Sequence, residues 1–435
     1  MMAVAVSAAL VSVDRVAARP LIQSSEDSYA SVCLNGTDTA MRLIEICRLA
    51  LDQPGPTPAQ RVEMRDTLGY AFYETDRYDE ARDVFRQIVR VAPDAHHGWN
   101  GLGWVAFSRQ NYAAAEGYFS DALDRAVNAE ALAGLTASQW ELGKIDIDTA
   151  VISFDTAVAI APEFNWARRQ KGWTLIEALR FGQAQAVFEP ILEQDPDDIN
   201  ARAGLVRALI RQDAYEDALL QTDRALSDTP DSYWFLSQRA NILLHMDRYR
   251  LSRREADRLI ALDPHASEGY VRRARALVAL GEASTALSEL AEAEARIGRD
   301  DYLTYWRARL HFDQDEDGRA LQILNRTTRT TRADIYDLKL LAQIHLERED
   351  LTAARRAVDR AKALRSDDPF TLYYDAVIVL RQTLDGGGGV TEAMARFDKA
   401  IFAGLPKDMI GDFAGELYRA GYLAHAVAIR AKYPD

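Results

Sequence analysis

A small residue returns along this chain with a fixed period. Ala81, Ala115, Ala150, Ala184, Ala218, Ser252, Ala286, Ala320 and Ala354 stand 34 or 35 residues apart, and Ala393 and Ala426 continue the series after steps of 39 and 33. Four residues beyond five of these places stand Phe85, Phe119, Phe154, Phe188 and Phe397. Such a period means that one supersecondary unit is repeated, each copy burying its apolar face against the next, so the chain grows in one dimension without a single central core. The stretch from Trp99 to Ala122 shows the unit. Trp99, Leu102, Gly103, Ala106 and Phe107 fall at spacings of three and four, as do Ala115, Phe119 and Ala122, and the polar Arg109-Gln110-Asn111 divides them. This is the pattern of two short amphipathic helices joined by a turn, with small Gly103 and Ala115 where they touch. Pro93, Pro162, Pro196, Pro230 and Pro264 close second helices, since proline cannot continue them.

The order of these places resembles the tetratricopeptide repeat family, whose pattern runs Trp-x2-Leu-Gly-x2-Tyr, then Ala-x3-Phe, then Pro. The unit at Trp99 keeps the opening Trp-x2-Leu-Gly and has Val127 at the closing place. From Tyr233 to Arg332 the likeness thins to the small residues and the spacing, while the register holds from Val62 to Asp368. The resemblance implies an all-α fold, an α-solenoid of stacked antiparallel helix pairs wound into a right-handed superhelix. On this reading residues 1–20 are a candidate signal peptide and 21–58 an irregular helical hairpin with a stiff linker, Pro54-Gly-Pro-Thr-Pro58. Residues 59–405 hold about ten repeat units, the last with an inserted Asp385-Gly-Gly-Gly-Gly389, and 406–435 form a capping hairpin. Asp408, Asp412, Glu416, Arg419, Arg430 and Lys432 are expected to solvate that hairpin's outer face, as terminal repeats require.

With 66 acids against 52 bases the chain has a net charge of −14, which argues against nucleic acid or an anionic membrane surface as the general partner. The apolar run Ala3 to Val13 is too short to span a bilayer as a helix. It has the length of a secretory signal's core, with Val16-Ala17-Ala18 as the cleavage site, though the basic start of a signal is missing. A periplasmic or secreted location is therefore expected, with a cytoplasmic one as the alternative. The segment holding Cys33 and Cys47 looks like the opening unit of exported bacterial repeat proteins that carry a paired cysteine there, which implies a disulfide. Geometry leaves the pairing open. A helix starting near Asp38 places Cys47 about 14 Å along it, a height that Cys33 reaches only if Cys33 to Thr37 doubles back in extended form. Two separately buried thiols are the alternative.

Catalytic and metal motifs are weak. Asp313-Gln-Asp315-Glu-Asp317-Gly318 matches the first half of a calcium loop, but the twelfth place holds Leu324 instead of the bidentate Glu, so a solvated turn is expected. His311 and His345 stand one repeat apart, at the place the pattern gives to Tyr, and read as helix-contact residues. No catalytic, phosphate-binding or dinucleotide-binding motif is present. The expectation is no enzyme, no cofactor and no metal.

Binding is expected on the first helices, which line the concave surface in the family's architecture. The residues just after the small contact place include Tyr70, Trp104, Gln139, Trp173, Arg207, Asn241, Arg275 and Arg309; four residues earlier stand Asp66, Asn100, Arg169, Ser237, Tyr305 and Lys339, and a turn earlier again Trp166 and Trp234. Aromatics and Arg carry interface energy, and amides hold extended backbone. The family's carboxylate clamp of Lys with paired Asn is not reproduced. The first reading is a non-enzymatic scaffold that binds a protein or peptide in its groove; the second is a periplasmic carbohydrate-handling protein that holds sugar rings on groove aromatics. Arg169, Arg207, Arg275, Arg309 and Lys339 all fall on the inward rows, with Glu268 as the one acid beside them, which points to a partner with acidic segments. The sequence does not give an oligomeric state.

Overall fold

The structure is a computed structural model that describes residues 28–298, 300–328, 333–384 and 389–433. The candidate signal at residues 1–20 and most of the glycine insert lie outside the described residues. Among the described residues there are 24 helices and no strand. The chain falls into two compact units, Met1–Gly204 and Leu205–Asp435, and each is an all-α stack of antiparallel helix pairs.

The first unit holds α1 (Tyr29–Asn35), α2 (Ala40–Asp52), α3 (Pro58–Glu74), α4 (Tyr78–Val91), α5 (His96–Ser108), α6 (Tyr112–Leu123), α7 (Ala129–Glu141), α8 (Ile147–Ile160), α9 (Asn165–Glu177) and α10 (Phe181–Gln194). The unit boundary falls within α11 (Ile199–Ile210). The second unit continues with α12 (Tyr215–Asp228), α13 (Tyr233–His245), α14 (Tyr249–Leu262), α15 (Ser267–Ala279), α16 (Ala283–Ile297), α17 (Asp301–Asp313) and α18 (Asp317–Thr327). It ends with α19 (Ile335–Glu347), α20 (Leu351–Leu364), α21 (Pro369–Leu384), α22 (Val390–Phe402), α23 (Lys407–Arg419) and α24 (Leu423–Lys432).

Local chemistry sets the ends of these helices. Pro58 does not finish a linker; it opens α3, where Thr57 and Gln60 form a reciprocal capping box and the missing N–H of proline costs nothing. The five closing prolines each stand two residues past a second helix. Between the helices of a pair one residue turns left-handed: Asp76, Gln110, Gly143, Leu179, Asp213, Asp247, Gly281, Asp315 and Glu349 have φ from 57° to 83°. Asp tolerates this conformation, and at three turns a tyrosine two residues on fixes it. Tyr78 donates to Asp76 at 2.7 Å, Tyr215 to Asp213 at 2.6 Å and Tyr249 to Asp247 at 2.5 Å.

Before the first regular pair, a disulfide joins Cys33 to Cys47 with their Cα atoms 5.0 Å apart. Cys33 lies on α1, a helix of seven residues, about two turns, ended by Gly36 at φ 60°. α1 packs against α2, so a short helix brings Cys33 level with Cys47. A loop of 14 residues closed this way adds about 3 kcal/mol by chain entropy.

The phenylalanine knobs are fully buried, each wedged between two first helices. Around Phe119 the ring occupies the space a β-carbon would need at Gly103 (2.6 Å) and at Gly134 on the next first helix (2.3 Å). Phe188 sits likewise between Gly172 and Gly204. On α13 and α15 in the second unit a charged residue midway along the first helix clamps the second helices on both sides. Arg239 pairs with Asp223 at 2.8 Å and Glu255 at 3.0 Å, and Arg273 with Asp257 at 3.3 Å and Glu289 at 2.8 Å. At Asp375 the sign is inverted: this buried carboxylate takes Arg355, Lys362 at 3.0 Å and Arg396 at 2.7 Å.

In the C-terminal hairpin Asp408, Asp412, Arg419, Arg430 and Lys432 are exposed as expected, and Glu416 departs. Glu416 is turned inward onto Arg381 at 2.9 Å, and the free face of α24 carries Leu423 and Val427, 54% and 68% exposed.

Candidate functional site on the first helices

Within each unit, consecutive first helices touch one another, α3 through α9 and α13 through α23, so their inward rows form one continuous face per unit. The structure divides the expected site residues into three groups.

The aromatic group of the first unit is core. Trp104 is only 6% exposed; its ring lies edge-on to Phe119 at 5.0 Å and Trp166 at 4.6 Å. Trp166 also stacks on Phe164 at 6.0 Å. Placing Trp104 at a free surface is therefore corrected: the small residue before it lets the helices close, and the ring fills the space between pairs. Trp173 lies edge-on to Phe188 at 5.8 Å and Trp234 to Phe235 at 4.8 Å, both half-buried. Tyr305 packs beside Trp306 at 5.7 Å. Sugar-stacking faces are thus occupied at Trp104 and Trp166.

The second group forms latches between neighbouring first helices. Asn100, 3% exposed, donates to Tyr70 at 2.9 Å and to Glu130 at 2.8 Å. Arg169 donates to Asp198 at 2.6 Å, Lys339 to Asp368 at 3.2 Å, and Ser237 to Glu268 at 2.7 Å. Two others are spent elsewhere: Gln139 reaches Glu116 on the second helix α6 at 3.4 Å, and Arg309 pairs with Asp313 on its own helix at 2.8 Å. Glu268 is therefore not the one acid beside the basic row: Asp198, Asp313 and Asp368 neutralise three of its cations. Asp198 and Asp368 each cap the next helix, accepting from the N–H of Ala201 and Thr371, and so point along the face.

The third group keeps unspent donors. Asn241 Oδ1 accepts from both Arg272 at 3.0 Å and Arg275 at 3.1 Å. Arg272 also binds Glu268 at 2.7 Å. Arg275 has no carboxylate partner among the described residues; its guanidinium lies over the Trp306 ring at 5.1 Å, and burial, then the charge of Arg272, lowers its pKa. Nearby His245 stacks on Tyr215 at 5.0 Å, and burial and Arg275 push its pKa down, which favours the neutral ring. Arg207, exposed, stands two units earlier on the same row and is not one of this group. Arg272 and Trp306 were missed in the sequence because they lie off the inward rows; the one local signal was Arg272 four residues after Glu268.

His311 and His345 do not face each other. His311 approaches Glu316 at 2.6 Å and His345 approaches Asp350 at 3.8 Å, each closing its own turn. Within the half calcium loop, Asp313 and Glu316 are held by Arg309 and Arg319. Among the described residues no group of three His, Cys, Asp or Glu side chains is placed to hold a metal, and no helix is long and apolar enough to cross a membrane.

Comparison with known proteins agrees with the repeat. Superkiller protein 3 of Schizosaccharomyces pombe is 28% identical over 171 residues, covering 37% of this chain and 12% of that protein. The bifunctional protein GlmU of Cupriavidus metallidurans is 29% identical over 140 residues, covering 28% of this chain and 30% of that protein. The chain thus spans less than two thirds of the length of either curated relative. A solved tetratricopeptide repeat protein from Parabacteroides merdae is similar at 19% identity and a TM-score of 0.43, covering 58% of this chain and 99% of that one. Family models described as Tetratricopeptide repeat match residues 67–131 and 175–240, the spans of α3 to α7 and α9 to α13 in which the Phe119 and Phe188 knobs sit. Over those two spans the chain carries tetratricopeptide repeats, and its period and helix pairs continue the same all-α unit through the other described residues.

Proposed function

We propose that this protein is a non-enzymatic scaffold whose first-helix face in the second unit grips an extended protein segment by its carboxylates. The family is commonly a protein-interaction scaffold, and the supporting observation is the convergence of Arg272 and Arg275 on one amide oxygen. A guanidinium carries five N–H donors, and Arg275 spends one on Asn241. A carboxylate arriving beside Arg275 would be held bidentately over the Trp306 ring, where partial burial strengthens the pair. Neighbouring Tyr302 and half-buried Trp234 offer apolar contacts on the same helices. The compartment we propose is extracytoplasmic, periplasmic or secreted. The Cys33–Cys47 bridge suits an oxidising environment, and the apolar run Ala3 to Val13 suits export.

The test is affinity for alanine-based octapeptides carrying a central Glu-x-Glu or Gln-x-Gln. The Glu peptide is expected to bind more tightly, and to weaken as salt rises because the contact is charged. Arg272→Gln with Arg275→Gln should remove that preference, and Arg356→Glu, on exposed second-helix surface, should not. Equal binding of the two peptides would refute the reading.

A further inference from the structure

The latches between first helices have a common plan with one incomplete member. Three of them end on an acid at the start of the next first helix, and in each a cation reaches that acid. Arg169 sits on Asp198 at 2.6 Å, Lys339 on Asp368 at 3.2 Å, and Arg272 joins Ser237 on Glu268 at 2.7 Å. The fourth, between α5 and α7, has the acid Glu130 and the partner Asn100 at 2.8 Å, but no cation contacts Glu130 among the described residues. A second carboxylate, Asp66 on α3, is turned toward it. Burial and the charge of Glu130 hold the Asp66 carboxyl up to about 7. Asp66 Oδ1 and Asn100 Oδ1 are both buried with no hydrogen-bond partner, although Asn100 is aimed into the cluster by its bonds to Tyr70 and Glu130.

We propose that the place bounded by Asp66, Tyr70, Asn100 and Glu130 on the first unit takes the ammonium group of a lysine presented by an extended protein segment. An ammonium brings three donors and one positive charge. Asp66 Oδ1, Asn100 Oδ1 and the carboxylate of Glu130 supply three acceptors, and the added charge completes the latch as Arg169 does one latch further on. The acceptors lie beneath the surface, so a long apolar stem with a compact head is the side chain that reaches them. No group of three His, Cys, Asp or Glu side chains is placed there among the described residues. The proposal rests on the reading that the first-helix face holds extended protein segments, but on different residues, in the other unit.

The experiment uses the full chain and alanine-based octapeptides with one central lysine or, as the isostere without charge, norleucine. The lysine peptide is expected to bind roughly tenfold more tightly. Asp66→Asn with Glu130→Gln, which keeps shape and removes charge, should erase that preference. Asn100→Lys should supply the cation from within, raising the melting temperature and abolishing the preference. Equal binding of the two peptides, or a lysine preference that survives the double substitution, would overturn the proposal. A calcium salt raising the melting temperature where the lysine peptide does not would also overturn it, by assigning the acids to a metal. Binding of the Glu peptide and its dependence on Arg272 and Arg275 are unaffected by these substitutions, so the two readings fail separately.

Discussion

At Phe119 the ring stands where two β-carbons would be, those of residues 103 and 134. Glycine inside a helix ordinarily costs up to about 1 kcal/mol relative to alanine, so Gly134→Ala would be stabilising on propensity alone. Here the new methyl would lie 2.3 Å from Phe119 Cζ, and overpacking of this kind costs about 1–3 kcal/mol. The second effect is larger. Gly134→Ala is expected to lower the midpoint of urea unfolding, and a raised midpoint would mean that the ring yields easily. Gly103 was legible as a small contact residue; Gly134 and Gly204 were not, because the ring that requires them belongs to the preceding unit.

Asp66 gives the residue scale its pH dependence. Its carboxyl titrates at about 7 in the fold against 3.8 ordinarily, so between these values the folded chain holds a proton that the unfolded chain has lost. Stability from this group is greatest below pH 3.8, declines as pH rises, and is gone above about 7. Asp66→Asn should therefore match the parent near pH 4 and exceed it at pH 8 by on the order of 1–3 kcal/mol. Chemical denaturation at the two values measures it; an equal difference at both would remove the burial of a charged Asp66 from the account.

Among the elements, the second helices are joined through charges borne by first helices, and the energetic weight of these links depends on burial. Asp375 is buried under three cations. Asp375→Asn would leave those cations facing one another, a loss of about 3–5 kcal/mol if the cluster behaves as a buried network. The exposed pair of Arg109 with Asp79 is screened by solvent, and Asp79→Asn should scarcely move the melting temperature. Comparable effects from both would contradict the distinction. Helix positions and turns were readable from sequence because apolar spacing, proline and left-handed turn residues are local signals. The orientation of Trp104 was not, since it depends on Trp166 sixty-two residues away. The acids Asp198 and Asp368 were overlooked because a helix cap looks like a loop until the helix start is known. The seven residues of α1 are too few for a periodic pattern, so the route that brings Cys33 to Cys47 was hidden as well.

For the whole molecule, stability in a repeat stack is a sum over units and nearest-neighbour contacts. Ala218 is fully buried on α12, and Ala218→Trp should cost roughly 1–3 kcal/mol or more. Hydrogen exchange should then speed up in α11 to α14 while α2 to α6 and α19 to α23 stay protected; uniform loss of protection would argue against a repeat stack. The repeat made the fold legible, because every unit reports the same small and bulky places. The candidate site was legible only as two rows of positions. Which members are spent as latches, and which keep free donors, is fixed by partners roughly thirty residues away at a neighbouring first helix, as Arg169 with Asp198 and Arg275 with Asn241 illustrate.

The most direct test of the account is the hydrogen-exchange footprint of the Glu-x-Glu octapeptide on the full chain. Slowed exchange confined to the first helices α13, α15 and α17 is the predicted result, lost with Arg272→Gln and Arg275→Gln. Protection falling on the second helices α14 and α16, or spread evenly along the chain while the peptide is bound, would contradict it.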